Sequence, residues 1–355
     1  MRDDSLIIRQ PDLDSAVQAG ILTRSTADEL VAFVAQDNAI NHADDEQLRL
    51  VTGFNDIFVT IGLVLFLGAI GYLSGGFKTF LLPVAAWLLA EIFTRKKHMA
   101  LPSIVLLAVF AISSFISVLS VLSGSSNSLP SNFVGAAPGL TALSGLITAG
   151  LIGLHWLRFH VPITVAAGTG ALVLMLTAGL TAAFPDSVEK SFGLILVPIG
   201  VAVFGLAMYF DASDRARRTR RSDMAFWLHL LAAPLIVHPL VWNIANVPSM
   251  SGSDAVIIFI MFAVLSFVAL VIDRRALLVS SLAYLGYALS TLLVKTSWGS
   301  ETFAVAVLGV GAVVLTLSVA WSPLRKMLLS VLPETIRYFV PAHQTQYATQ
   351  QKVSQ

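Results

Sequence analysis

Seven ionisable side chains stand within or at the rims of long apolar runs: Asp56, Glu91, His155, Asp211, His229, His238 and Asp273. In hydrocarbon such a group is costly, and it turns toward a bundle interior or a water-filled cavity. Chemistry in this chain is therefore sought among them. Two of the histidines share one unusual run, Phe226-Trp-Leu-His-Leu-Leu-Ala-Ala-Pro-Leu-Ile-Val-His-Pro-Leu-Val-Trp-Asn-Ile-Ala-Asn246. Pro234 and Pro239 fall inside it; each removes a backbone donor, kinks a helix and frees carbonyls for solute or ion contact. His238 lies near the middle of the run, and Asn243 and Asn246 approach its far end. A histidine changes charge near neutral pH, so the run reads as a gating or solute-contacting helix with His238 as its proton-responsive group. The plainer reading is a kinked buried helix whose histidines bond to neighbouring backbone.

The expected ion or substrate path comprises His229, His238, Asn243, Asn246, Glu91 and His155, with Pro234, Pro239 and Pro198 as helix kinks. For Asp56, Glu91, Asp211 and Asp273 the competing reading is interfacial placement beside basic residues, because Glu91 precedes Arg95 by four and Asp273 abuts Arg274. His229 and His238 are nine residues apart, about 180° around a helix and about 13 Å along it, so they cannot share one ligand. No His-x-x-x-His pair occurs, which leaves no metal site of that kind. Haem would need a second axial histidine from another helix, and no cofactor is expected. No Ser/His/Asp arrangement or Gly-rich phosphate loop stands in a suitable context. Catalysis is not expected.

The elements that must position these groups follow from composition. Hydrophobic residues make up 56% of the 355 residues and charged ones 12%. A water-soluble fold of this size could not cover its surface with so few charges. The net charge of +1 argues against nucleic acid. The absence of cysteine removes disulfides, thiolate metal sites and cysteine nucleophiles. Apolar runs of spanning length lie near 56–74, 77–94, 101–122, 138–157, 161–183, 191–211, 224–245, 254–272, 276–294 and 302–321. The expected fold is thus all-α, a polytopic membrane helix bundle of about ten transmembrane helices over 53–321.

Lysine and arginine set the orientation. With the N-terminus inside, 19 of the 22 basic residues fall in the cytoplasmic connections and tails, and only Lys78, Lys190 and Lys295 fall outside. The positive-inside rule asks for this alternation, and it places both termini in the cytoplasm. Arg215 to Arg221 reads first as a topology determinant, with contact to anionic headgroups as a secondary role. No signal peptide is recognisable.

Residues 1–52 form an acidic helical cytoplasmic segment, with ten acids against four arginines in the first 50 positions. Ser25 and Thr26 stand three residues before Asp28 and Glu29, which is close to capping-box spacing. The segment reads as a solvated tail or as a docking module for a protein partner. Ala16-Val-Gln-Ala-Gly-Ile-Leu-Thr-Arg-Ser-Thr-Ala-Asp-Glu-Leu30, with Gly53-Phe-Asn-Asp-Ile-Phe58, resembles the opening of a bacterial family of predicted multi-span membrane proteins of unknown function. That resemblance, over about residues 10–60, implies the bacterial inner membrane and carries no functional residue across. After the last run, Pro323 is expected to break the helix, and 322–341 suits an amphipathic helix in the interface. The tail 342–355 reads as disordered. Gly145, Ala149 and Gly153 recur at the spacing of close helix packing.

Two functions lead on these grounds, and an intramembrane enzyme ranks third for want of a motif. One is a small-solute or ion transporter or channel with the kinked run 224–246 on its path. The other is a non-transporting scaffold or sensor acting through the N-terminal segment. The lipid bilayer is the partner both require, and neither reading fixes an oligomeric state.

Overall fold

The computed structural model describes residues 10–41, 54–73, 80–124, 137–214, 217, 219–245, 252–275, 277–278, 282, 285–286, 300–333 and 340. Regular structure among them is helical throughout. The chain divides into two compact units, Met1–Gln47 and Leu48–Gln355.

The first unit is a helical pair, α1 (Gln10–Gln18) and α2 (Arg24–Asn41). Gly20, at φ +70°, closes α1, and the Ile21 amide donates to the Ala16 carbonyl at 3.0 Å. This left-handed ending is one glycine adopts without steric cost. The start of α2 differs from the expected capping box. The cap is Thr23, whose Oγ1 accepts from the Thr26 amide at 3.2 Å, while Ser25 turns to Glu29. Arg24 reaches back to Asp14 at 2.9 Å, tying α2 to α1.

The second unit holds α3 (Phe54–Leu73), α4 (Leu81–Ala90), α5 (Ala100–Leu122), α6 (Pro138–Phe159), α7 (Ile163–Ala183), α8 (Pro185–Ser213), α9 (Arg220–Ala245), α10 (Gly252–Ile272), α11 (Ser300–Val319) and α12 (Trp321–Val331). A π-helical turn, Glu91–Lys96, continues α4. Six of these helices (α3, α5, α6, α7, the Ser191–Ser213 part of α8, and Arg220–Leu240 of α9) are long and apolar enough to cross a membrane. The pair α11 and α12, bent by 76°, makes a seventh if it counts as one broken span. The expected run 276–294 falls almost wholly outside the described residues.

Outward surfaces are apolar where a soluble protein would be charged. Phe58, Leu65, Val201, Ile260 and Leu315 are all exposed, an arrangement that a lipid environment favours. These helices make the chain an integral membrane protein.

α8 packs on α9, α6 on α7, and α5 against α3, α4 and α6. One core joins Leu63, Leu67, Ala90 and Leu106 of α3–α5. A second joins Ala166 of α7 to Val203, Ala207, Leu228 and Ala232 of α8 and α9. A third gathers Ala269 to Ile272 of α10 with Ala233 and Trp321. Bare glycine backbone sets two of the helix contacts. At Gly200 a Cβ would lie 2.7 Å from Ile236 Cγ1 and 3.0 Å from the Ile236 nitrogen. At Gly145 it would lie 3.1 Å from the Met175 nitrogen, whereas a Cβ at Gly153 would meet nothing. Of the small-residue stripe on α6, then, Gly145 sits in a helix contact and Gly153 does not.

Two helix breaks fall elsewhere than the prolines indicated. In α8 the non-helical residue is Ser191 (φ −126°, ψ 17°), before Pro198, and Pro198 itself lies exposed within the helix. The bend before α12 comes at Ala320, and Pro323 sits in the first turn of α12, where its missing amide costs no hydrogen bond. Residues 342–355, expected to be disordered, lie outside the described residues, as do 334–339 of the expected interfacial helix.

Candidate functional site

The basic connections follow α4, α6, α8 and α10, and each turns on a residue in left-handed backbone: His98, His160, Arg217 and Asp273, with φ between 51° and 58°. None is glycine, so each turn carries a strain of roughly 1 kcal/mol. Two of the four, Arg217 and Asp273, place their side chains in one polar network.

The inner part of that network is buried. Asp211, in the last turn of α8, faces His229 of α9, and its Oδ2 lies 2.9 Å from His229 Nε2. Arg274, just past α10, donates to the same carboxylate from Nε at 3.2 Å and from Nη2. Arg274 Nη2 also lies 3.1 Å from both the carbonyl and the Oγ of Ser222. Relative exposures are 0% for His229, 1% for Asp211 and 2% for Arg274. The Phe204 ring stands 5.1 Å from the imidazole, edge to face. One carboxylate, one guanidinium and one imidazole thus join α8, α9 and α10. An unpaired charge buried there would cost several kcal/mol, which explains why the carboxylate collects two partners. His229 Nδ1 is buried and neither accepts nor donates a hydrogen bond in this arrangement.

The outer part centres on Asp273. Its Oδ2 accepts from Arg217 Nη1 at 2.9 Å, and its Oδ1 accepts from Trp321 Nε1 at 2.8 Å. Arg325 Nε approaches at 3.7 Å, and Arg217 Nη2 also bonds the Asp273 and Ile272 carbonyls at 2.8 and 3.2 Å. Arg275 lies over the Trp321 ring at 5.3 Å. One carboxylate therefore fastens the α8–α9 connection and α12 to the end of α10. Burial alone would raise the Asp273 pKa, but Arg217 and Arg325, the Trp321 N–H and Arg274 outweigh it and hold the carboxyl below its ordinary 3.8. Within the α8–α9 connection, Asp214 Oδ2 accepts from the Thr219 amide at 2.8 Å and from its hydroxyl at 2.6 Å.

A separate cluster lies on the first helices. Glu91, opening the π turn, accepts from Arg158 of α6 at 2.7 Å (Nε) and 3.1 Å (Nη2), and from Arg95 at 3.3 Å. Such a two-point Arg–carboxylate pair fixes geometry as well as charge. One turn below, His155 is enclosed by the rings of Phe159, Phe110 and Trp87, with centroids at 4.5, 5.4 and 5.6 Å.

The expected path residues are not brought together. His229 is buried in the inner network, whereas His238 is exposed on the other side of α9, as the half-turn between them requires. His155 and Glu91 belong to the α4–α6 cluster. Asn243 and Asn246 lie outside the residues whose side chains are described. Asp211 is bonded by His229 of α9 and by Arg274, and Asp273, part-buried at the end of α10, by Arg217 and by Trp321 of α12. Arg274, Ser222, Arg217, Trp321 and Arg325 carry the network, and none of them stands among the expected path residues. The one sequence signal for Arg274 was its adjacency to Asp273. Among the described residues no group of three His, Asp or Glu side chains could hold a metal ion.

Chemically, Asp211 and His229 can share or exchange a proton while Arg274 fixes the carboxylate. No family model, curated protein or solved structure matches this chain.

Proposed function

We propose that the chain is a small-solute or ion transporter or channel of about ten spans, both termini cytoplasmic, with Asp211 and His229 as its proton-exchanging centre. Ten apolar runs and the division of 19 basic residues against 3 support that topology. The resemblance of the N-terminal segment supports a bacterial inner membrane. The observation that carries the functional reading is the 2.9 Å contact between His229 Nε2 and Asp211 Oδ2, both side chains buried within the bundle. An ionisable pair held at such cost inside membrane helices reads as functional, and an imidazole in hydrogen-bond reach of a carboxylate can take up a proton and return it. α8 and α9 meet by bare backbone at Gly200, and between them they carry Pro198, Pro234 and Pro239. His229 thereby takes the role first given to His238.

The test is ion and proton flux into proteoliposomes containing the purified protein, beside a His229→Gln variant of unchanged helicity and elution. Flux in the first and its loss in the second is the expected result. Silence across a broad ion panel overturns the reading. One observation favours the alternative of a scaffold or sensor: the N-terminal helical pair leaves Ile21, Leu30 and Val31 exposed, a surface a protein partner could cover.

A further inference from the structure

A second polar feature runs through the bundle away from the arginine network. On α6, Thr141, Ser144, Thr148 and His155 recur at three-, four- and seven-residue intervals, and all four are buried. This spacing puts them on one helix face, and from Thr141 to His155 the helix rises about 21 Å, much of the roughly 30 Å hydrocarbon thickness. The neighbouring α5 contributes Ser113, Ser114 and Ser117, likewise buried. The two helices pack together, and the 5.4 Å ring contact between Phe110 and His155 fixes their alignment. In an antiparallel pair, that contact brings Ser117 to the level of Thr148.

Back-bonding and close packing explain part of the seam. Ser117 donates to the Ser113 carbonyl at 2.7 Å, Ser144 to Leu140 at 2.8 Å and Thr141 to Ala137 at 3.2 Å. They do not explain Thr148 Oγ1 and His155 Nδ1, which are buried and make no hydrogen bond to the protein. The side chains are 2% and 1% exposed, and an unmet polar atom in such a place costs about 1–3 kcal/mol. In a helix the His155 side chain leans toward the α6 N-terminus, the direction of Thr148. Whichever tautomer the ring adopts, its bare nitrogen needs one partner, and water can be donor or acceptor. A back-bonded hydroxyl keeps acceptor capacity for a second bond.

We propose that the α5–α6 seam binds a file of water molecules that satisfies Thr148 Oγ1 and His155 Nδ1, with the Ser117 and Ser144 hydroxyls as further contacts. The file ends against the Phe159, Phe110 and Trp87 rings around His155, one turn short of the Glu91–Arg158 pair. It is closed by that aromatic enclosure on the arginine-rich side and is entered from the opposite one. This inference is independent of the transport reading.

The test is water-edited solid-state NMR on the full chain in lipid vesicles, with histidine, threonine and leucine labelled. Polarisation from water is expected to reach the His155 ring and the Thr148 methyl several-fold faster than Leu106 and Leu107, which are buried on α5. A Thr148→Val, Ser117→Ala variant is expected to slow transfer to His155 without changing helicity. Transfer to His155 no faster than to the two leucines in the unaltered protein would overturn the proposal and leave a dry packing seam.

Discussion

Arg274, two residues past the end of α10, binds the carboxylate of Asp211, sixty-three positions earlier in α8, through Nε and Nη2. Both side chains are buried, and His229 Nε2 lies 2.9 Å from the same Asp211 Oδ2. A guanidinium does not lose its proton in a protein, so the carboxylate beside it supplies the countercharge. Truncating either partner leaves the other as a buried charge without compensation.

Arg274→Ala is therefore expected to destabilise the bundle by about 3–5 kcal/mol. The double variant Asp211→Asn, Arg274→Gln removes both charges and is expected to lose less than Arg274→Ala alone. Reversible unfolding in mixed detergent micelles checks both. A double variant less stable than the single one would show that the pair contributes more than charge compensation.

The outer carboxylate gives a prediction in pH. Because Asp273 titrates below its ordinary 3.8 when folded, its contribution is complete above 3.8 and is lost as pH falls through the lower folded value. Acidification in that range should release α12 from the end of α10, since Trp321 and Arg325 both attach there through Asp273. The fluorotryptophan resonance of Trp321, assigned with Trp321→Phe, is expected to shift over this acid range. Asp273→Asn should show the released resonance already at neutral pH.

The architecture was legible in the sequence where it depends on hydrocarbon length. Apolar runs mark α3 and α5 to α9 because a spanning helix must be apolar along its whole length. The polar network was not legible, because its bonds join residues 18 to 63 positions apart and no local pattern records which helix ends meet. Basic residues were informative as a class and misleading as individuals. Arg217, Arg274 and Arg325 fit the topology count, yet each also binds a specific carboxylate. His229 and His238 could be assigned to opposite sides of one helix, but the side facing the interior depends on tertiary packing. The turn at Ala320 and the break at Ser191 were hidden because prolines drew attention to neighbouring positions that the helices tolerate.

The left-handed turns offer a stabilising change. His160 ends α6 at φ 53°, is exposed, and makes one ring contact with Trp156 at 5.6 Å. Glycine removes the Cβ strain of roughly 1 kcal/mol at such a site, and the exposed ring has only its contact with Trp156 to lose. His160→Gly should raise the unfolding midpoint in detergent. Asp273→Gly relieves the same strain at φ 58° but deletes the bonds to Arg217 and Trp321, so it should lower the midpoint. Equal effects of the two would mean that side-chain bonds at Asp273 add nothing beyond the backbone.

The contact between α8 and α9 can be tested by adding one methyl group. At Gly200 an alanine Cβ would stand 2.7 Å from Ile236 Cγ1, 3.0 Å from the Ile236 nitrogen and 3.0 Å from the Leu235 carbonyl carbon. The first contact could relax by a rotamer change; the other two are backbone and require the helices to separate. Overpacking of this kind costs about 1–3 kcal/mol. At Gly205, farther along the same helix, a Cβ would meet nothing within 4 Å, so Gly205→Ala controls for helix propensity and should be neutral or slightly stabilising. Separation at Gly200 would also move Asp211 relative to His229, because the two sit on the same pair of helices. Gly200→Ala is thus expected both to lower stability and to change the His229 ring nitrogen shifts, read by NMR on histidine-labelled protein in vesicles. Loss of stability with unchanged His229 shifts would show that the helices bend locally at Gly200 and that the Asp211–His229 contact is held by Arg274 alone.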